Sequence, residues 1–234
     1  MILHTEILGE GEPIVFLHTG LQTGTTDFEY QRDYFKEKYK VILTDLRGHG
    51  KYVSHDFSNY FEDSAKDLAE TLEALGIHSA HIVGCSLGAL VGLYFAKQFP
   101  SFVKSLSLSG IIPEKPKNWS VLQKEEAERQ AHLLLNEEVV QYFDDLHQSD
   151  WRKFLDLTNK DWYPFEETKN LTDVDCPVLY LVGEGNPLET KGAVLYPKMK
   201  SDVHVAIIPF AAHLVHTEQP EIYSQILKPF IEDI

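Results

Sequence analysis

The chain has little positive charge. Its 21 Lys and Arg residues are outnumbered by 36 Asp and Glu residues, so the formal net charge is -15. Contacts to phosphate depend on clustered Lys and Arg, and this balance therefore argues against nucleic acid or an anionic membrane surface as a partner. Small neutral or cationic substrates remain compatible with the charge, which carries no information on oligomeric state.

Cysteine is scarce, and long apolar runs are missing. The two cysteines, Cys85 and Cys176, both lie inside apolar segments, where a cysteine usually serves as a small buried hydrophobe. No disulfide is expected. Residues 1–6 carry neither a basic start nor a long apolar stretch, so they do not have the character of a signal peptide or a membrane-spanning helix. We therefore expect a cytoplasmic protein.

Short apolar runs alternate with longer amphipathic segments, which is typical of an α/β fold with a mostly parallel central sheet flanked by helices. A length of 234 residues fits one domain with an insertion. The predicted helices of this core cover 63–75 and 87–99. The predicted strands cover 2–8 at an edge, 13–18, 40–45, 80–85, 103–109, 177–183 and 204–209.

The alternation stops between residues 113 and 174, where charges, tryptophans and helical periodicity replace it. This predicts a small helical cap inserted into an α/β core made of 1–112 and 175–234. An insertion of this kind without its own sheet must lean on the core, so it is a plausible lid over a pocket. The alternative is a stabilising excursion without influence on substrate choice. Its predicted helices cover 124–135, 137–146 and 151–157.

A Gly-x-Ser-x-Gly pentapeptide, formed by Gly84, Ser86 and Gly88, follows the apolar run 80–85 and precedes the helix predicted from Leu87. A chain that reverses sharply from strand into helix needs small residues on both sides of the serine, whose hydroxyl is then exposed at the turn. Ser86 is therefore the predicted nucleophile.

A serine hydroxyl needs a base and donors for the oxyanion that forms. His213 follows the last predicted strand and leads into a terminal helix, which makes it the predicted base. His216, three positions later, is predicted to be a packing or surface residue rather than the base. The oxyanion donors are predicted to be the backbone amides of Leu87 and of either Gly20 or Leu21.

These residues resemble the α/β-hydrolase family over nearly the whole chain. The motifs His18-Thr19-Gly20, Asp45-Leu46-Arg47-Gly48-His49-Gly50, Gly84-Cys85-Ser86-Leu87-Gly88 and His213-Leu214 followed by Glu218-Gln219-Pro220-Glu221 occur in that family's order. Thr19 stands where glycine is more usual. The side chains of His18, Asp45, Arg47 and His49 are interpreted as structural.

The resemblance implies a catalytic triad whose acid follows the strand 177–183, where the family pattern is Gly-x-x-Asp. This sequence has Asn186 at that position. Asn186 is the favoured third member, Glu184 or Glu189 is the alternative acid, and an acid from elsewhere, such as the predicted cap, stays open. An amide can orient a histidine but cannot neutralise the imidazolium, and in serine proteases an Asp-to-Asn change lowers turnover by about 10⁴.

The prediction is a serine hydrolase of the carboxylesterase type that cleaves a small carboxylic ester or thioester through an acyl-enzyme. Its activity is expected to be reduced if Asn186 takes the place of the acid. The partner is a small-molecule acyl substrate, and the family chemistry implies neither a metal nor an organic cofactor. A C–C hydrolase or an acyltransferase of the same fold stays open. A ligand-binding or signalling protein with a relaxed hydrolase pocket is the alternative from another class.

Overall fold

The computed structural model describes residues 1–158 and 162–234. Its strands are β1 (Thr5–Leu8), β2 (Glu12–Leu17), β3 (Tyr39–Thr44), β4 (Ala80–Cys85), β5 (Val103–Ser109), β6 (Val178–Gly183) and β7 (Val203–Ile208). Its helices are α1 (Glu29–Phe35), α2 (Tyr60–Ala74), α3 (Leu87–Gln98), α4 (Trp119–Leu133), α5 (Glu137–Leu146), α6 (Arg152–Thr158), α7 (Phe165–Thr168), α8 (Gly192–Met199), α9 (Val215–Glu218) and α10 (Pro220–Glu232). The segments of α1 and α8 were not predicted as helices.

The strands form one seven-stranded sheet in the order β1-β3-β2-β4-β5-β6-β7. Only β1 runs antiparallel to its neighbour within this sheet, and the other pairs of the described strands are parallel. The predicted α/β class with a mostly parallel sheet is thereby confirmed. The strand β4 lies in the middle of the sheet and is buried along its whole length. Its carboxyl end, which precedes Ser86, therefore lies at the centre of one edge of the sheet.

Both faces of the sheet are covered. Along β2, Val15 and Leu17 join the core beneath α2 and α3, whereas Ile14 and Phe16 point to the opposite face. This alternation follows from the two-residue period of a strand. The second face packs against α1 and α10. No helix within the described residues combines the length and the apolar character needed to cross a membrane.

The helices α4 to α7 lie between β5 and β6, and the described residues of this segment contain no strand. Helix α4 begins at Trp119, five residues before its predicted start, and α6 nearly matches the predicted 151–157. Trp151 is buried against Phe143 and Leu155 and so forms a small core for this segment. The part of the predicted cap at 159–161 lies outside the described residues.

Candidate active site

The turn between β4 and α3 holds Ser86 in a left-handed backbone conformation, with φ 53° and ψ -116°. A side chain at Gly84 would overlap the carbonyl of Gly88, and a side chain at Gly88 would overlap the carbonyl of Leu17 in β2. Both glycines are therefore required by contact with backbone that cannot move aside. Ser86 lines a cleft.

A hydrogen-bonded series of three side chains begins at Ser86. The Oγ atom of Ser86 lies 3.0 Å from Nε2 of His213, and Nδ1 of His213 lies 2.6 Å from Oε1 of Glu189. The three residues come from the ends of different parallel strands, since Ser86 follows β4, Glu189 follows β6 and His213 follows β7. This arrangement gives a hydroxyl, a base that can take its proton and a carboxylate that orients the base.

Among the described residues no hydrogen bond joins Asn186 to His213, and here the favoured interpretation of the sequence is corrected. Its Nδ2 donates to Oε1 of Glu189 at 2.6 Å, and its Oδ1 accepts hydrogen bonds from the amides of Leu188 and Glu189. The amide side chain closes a local turn in the loop after β6, and this turn directs the longer Glu189 side chain to the histidine. Glu189 was one of the two alternatives read from the sequence.

Glu184, the other alternative acid, points away from this series. Its exposed carboxylate accepts a hydrogen bond from the amide of Phe210 at 2.9 Å. Glu189, in contrast, is only 1% exposed. Position within the loop alone could not separate the two glutamates, because both lie within a few residues of Asn186.

Burial and charge act on the same pair in opposite directions. Burial raises the pKa of Glu189, although the hydrogen bond from His213 counteracts it. Burial on its own lowers the pKa of His213, but the hydrogen bond and the negative charge of Glu189 outweigh that effect and raise it. The carboxylate of Glu189 thus stabilises the protonated form of the His213 imidazole.

The loop that follows β2 is fixed by polar contacts on several sides. The amide of Thr19 donates to Oδ2 of Asp27 at 2.8 Å, and Nε2 of His147 lies 3.1 Å from the carbonyl of Leu21. Leu21 has a φ of 63°, and among the described residues the amides of Gly20 and Leu21 have no hydrogen-bond acceptor.

Leu87 is the first residue of α3, so its amide has no acceptor within the helix. Gly20, Leu21 and Leu87 all line the same cleft as Ser86. The two backbone segments that carry the predicted oxyanion donors therefore border the same cleft as Ser86.

The residues interpreted as structural make contacts inside the protein. Asp45 accepts hydrogen bonds from the amides of Gly24 and Lys51, and Arg47 forms a buried ion pair with Asp67 at 2.9 Å. Nε2 of His18 accepts a hydrogen bond from the amide of Leu46, and Nδ1 of His49 lies 3.0 Å from the carbonyl of Arg47.

His216 is buried, but it does more than pack. Its Nε2 lies 2.7 Å from Oδ1 of Asp27. The sequence analysis did not single out Asp27, because no motif marks it and its two partners are distant in the chain.

The cleft has a volume of about 840 Å³ and contains a cluster of apolar side chains beside polar ones. The apolar members include Leu90, Ile112, Trp119, Leu122, Phe154, Trp162 and Tyr163. Glu125, Glu126 and Arg129 of α4 line it as well, and Arg129 forms an ion pair with Glu126 at 2.8 Å. Within the described ranges, no group of three or more His, Cys, Asp and Glu side chains could hold a metal ion.

Comparison with known proteins gives a consistent result. A family model described as alpha/beta hydrolase fold matches residues 12–137. The chain is 25% identical to an (E)-2-((N-methylformamido)methylene)succinate hydrolase of Acinetobacter baylyi, over 96% of this chain and 92% of the relative. It is also 25% identical to the serine hydrolase BPHL of Mus musculus, over 98% of this chain and 83% of the relative.

Among solved structures, NosK from Streptomyces actuosus superposes with a TM-score of 0.83 at 25% identity. This match covers 96% of the chain described here and 99% of NosK.

Proposed function

Because the chain belongs to the alpha/beta hydrolase family and is similar to known hydrolases, we propose that it is a serine hydrolase. Its proposed reaction is the cleavage of a small carboxylic ester or thioester through an acyl-enzyme. One observation carries the proposal: Ser86, His213 and Glu189 form an uninterrupted hydrogen-bonded series at the cleft. A serine hydroxyl becomes nucleophilic when an oriented base can accept its proton.

In the proposed reaction, Oγ of Ser86 attacks the substrate carbonyl while Nε2 of His213 accepts the hydroxyl proton. The carbonyl oxygen becomes an oxyanion that accepts hydrogen bonds from the amides of Leu87 and of Gly20 or Leu21. His213 then gives its proton to the leaving alcohol or thiol. A water molecule, deprotonated by the same nitrogen, attacks the acyl group, and the proton returns to Ser86 as the acid product leaves.

Glu189, rather than Asn186, is the proposed acid of this triad. Its carboxylate stabilises the imidazolium that forms in both halves of the reaction and holds the proton of the neutral ring on Nδ1. Asn186 is proposed to orient Glu189 through the hydrogen bond to Oε1. With Glu189 as the proposed acid, we do not expect Asn186 to reduce the activity.

The cleft favours an acyl group with apolar or aromatic character. Phe154, Trp162 and Tyr163 line it on the side of the segment between β5 and β6, which we propose acts as a cap over the core. Burying an apolar side group of a substrate against such side chains contributes roughly 25 cal/mol for each Å² removed from water. Short-chain and aromatic acyl esters are therefore the first substrates to test.

The first test is covalent labelling. A fluorophosphonate probe is expected to label the wild-type protein, and p-nitrophenyl esters are expected to be hydrolysed. Ser86→Ala should lose both signals, whereas the matched variant Ser101→Ala, at an exposed serine beyond α3, should keep them. Undiminished labelling or turnover in Ser86→Ala contradicts the proposal.

The other functions read from the sequence use overlapping machinery. A ligand-binding or signalling protein was suggested only by Asn186, and the position of Glu189 beside His213 removes that support. A C–C hydrolase would need a substrate that leaves a stabilised carbanion, and an acyltransferase would pass the acyl group to an acceptor other than water. Product analysis with and without added alcohol separates these outcomes.

A further inference from the structure

The carboxylate of Asp27 lies between the two segments that the proposed reaction brings together. One segment is the oxyanion loop, defined as residues 19–21, and the other is the histidine segment, defined as residues 213–218. We propose that Asp27 and His216 are positioning residues, which set the oxyanion loop at a fixed place relative to His213. This inference rests on the proposed hydrolase function, because it assigns a role within that same site.

Each oxygen of Asp27 serves a different segment. Oδ2 accepts the hydrogen bond from the amide of Thr19 at 2.8 Å, immediately before Gly20. Oδ1 lies 2.7 Å from Nε2 of His216, three residues after His213, and it also accepts from the amide of Phe28 at 3.2 Å. A single planar group thus joins two parts of the chain almost two hundred residues apart.

The bridge is enclosed. Asp27 is 4% exposed and His216 is 1% exposed, so water does not compete for these hydrogen bonds. Hydrogen bonds to a charged group are shorter and roughly twice as strong as neutral ones. The hydrogen bond and charge of His216, together with the amide of Thr19, outweigh burial and lower the pKa of Asp27 to about 2, which keeps the carboxylate ionised.

His216 is itself held from two further directions. Its ring stacks on Phe28 with centroids 4.1 Å apart, and its carbonyl accepts a hydrogen bond from the side chain of Gln31 at 2.9 Å. Phe28 and Gln31 belong to the start of α1, which packs near α10. The His216 ring is therefore a fixed point against which Asp27 can locate the oxyanion loop.

The loop needs such an anchor. Leu21 adopts a positive φ, which costs free energy for a residue with a branched side chain unless the surroundings enforce it. The carbonyl of Thr19 contacts Nδ1 of His18 at 2.7 Å and accepts from the amide of Gln22 at 3.2 Å. With the amide of the same residue bound to Asp27, the peptide groups that lead to Gly20 and Leu21 are oriented at both ends. Oxyanion donors act only when they are aimed at the place where charge develops.

The experiment compares Asp27→Asn, His216→Ala and His216→Gln with wild type. Asp27→Asn turns an acceptor toward Thr19 or His216 into a donor, and His216→Ala removes the anchor. His216→Gln can keep a donor near the place of Nε2. Because removing a whole oxyanion donor costs about 10²–10³ in kcat, a displaced loop is expected to lower kcat by about 10–100-fold. KM should stay within about twofold, since the interaction acts in the transition state.

His81 provides a matched control, since it lies at the opposite end of β4 from Ser86. His81 is fully buried at the start of β4, with Nδ1 2.7 Å from Oγ of Ser105 and Nε2 3.5 Å from Glu12. His81→Ala therefore removes a buried, polar-bonded histidine about 15 Å along the strand from Ser86. It should lower thermal stability in the way His216→Ala does, but it should leave kcat at wild-type level below the unfolding temperature.

A boronic acid that mimics the tetrahedral intermediate gives a second readout. We expect its affinity to fall in parallel with kcat for Asp27→Asn and His216→Ala, and His216→Gln to restore part of both values. The inference is overturned when both variants fold and retain wild-type kcat, or when they lose no more activity than His81→Ala. If Ser86→Ala remains active, the proposed function fails instead, so the two failures are distinguishable.

Discussion

Replacing Glu189 by glutamine tests which residue supplies the acid. The substitution keeps the size of the side chain and can still present an oxygen to His213 and Asn186, which both contact Oε1 at 2.6 Å. What it removes is the negative charge next to the imidazolium. Burial disfavours the charged carboxylate of Glu189 and raises its pKa. Glutamine has the same shape without the charge, so the fold should tolerate the change.

The magnitude follows from the distance. Two unit charges about 2.6 Å apart interact by about 6 kcal/mol at an effective dielectric constant of about 20, and this equals roughly a 10⁴-fold change in rate. The corresponding loss in serine proteases is about 10⁴. Since the glutamine side chain of this variant can still orient the ring through its oxygen, we expect kcat to fall by about 10³–10⁴ and KM to change little.

The assay is steady-state hydrolysis of a p-nitrophenyl ester by Glu189→Gln, with a pH profile of kcat/KM. The acid limb should move to lower pH, because the charge that raises the pKa of His213 is gone. Glu184→Gln is the matched control, since its amide oxygen can still accept from Phe210, and it should remain within about twofold of wild type. A loss below tenfold in Glu189→Gln, or a large loss in Glu184→Gln, refutes the assignment.

Three further outcomes are expected. In the wild type, kcat/KM should fall on acidification with an apparent pKa above the ordinary histidine value of about 6.5. The reason is that His213 must be neutral to accept a proton and that the pKa of His213 is raised. A midpoint of the pH profile at or below about 6.5 argues against the pair of His213 with Glu189. Asn186→Asp should lower kcat/KM at pH 7 by about tenfold or more, because two carboxylates at hydrogen-bond distance cannot both ionise; a gain in rate would show that the amide limits turnover. Gly88→Ala should lose activity and several kcal/mol of unfolding free energy, since its methyl group would overlap the carbonyl of Leu17; denaturant titration and kinetics check both, and a wild-type result would show that the turn has room.

The sequence predicted the sheet and the serine turn because both depend on local pattern. Continuous apolar runs determine buried parallel strands, and the overlap at Gly84 and Gly88 leaves the turn no alternative residues. The acid could not be assigned in the same way. Asn186 and Glu189 lie three residues apart in one loop, and only the turn closed by the amide decides which side chain reaches His213.

The bridge formed by Asp27 was inaccessible to sequence reasoning for another reason. His216 carries no local signal that separates it from a packing histidine, and Asp27 lies between a loop and a short helix with no motif around it. Their contact depends on how α1 and α9 pack on the same face of the sheet. Interactions that join distant segments are determined by the fold, so they become visible only after the fold is known.

The surroundings of Glu189 suggest why a glutamate works here. Oε1 accepts hydrogen bonds from both Asn186 and His213, whereas Oε2 is buried without a partner among the described residues. While the imidazole is neutral, these hydrogen bonds offset only part of the free-energy cost of burying the carboxylate charge. In the proposed reaction, His213 takes the proton of Ser86, and the positive charge then appears 2.6 Å from Oε1 and offsets the burial cost. The stabilisation is then larger in the transition state than in the resting enzyme, and only such a difference lowers the barrier.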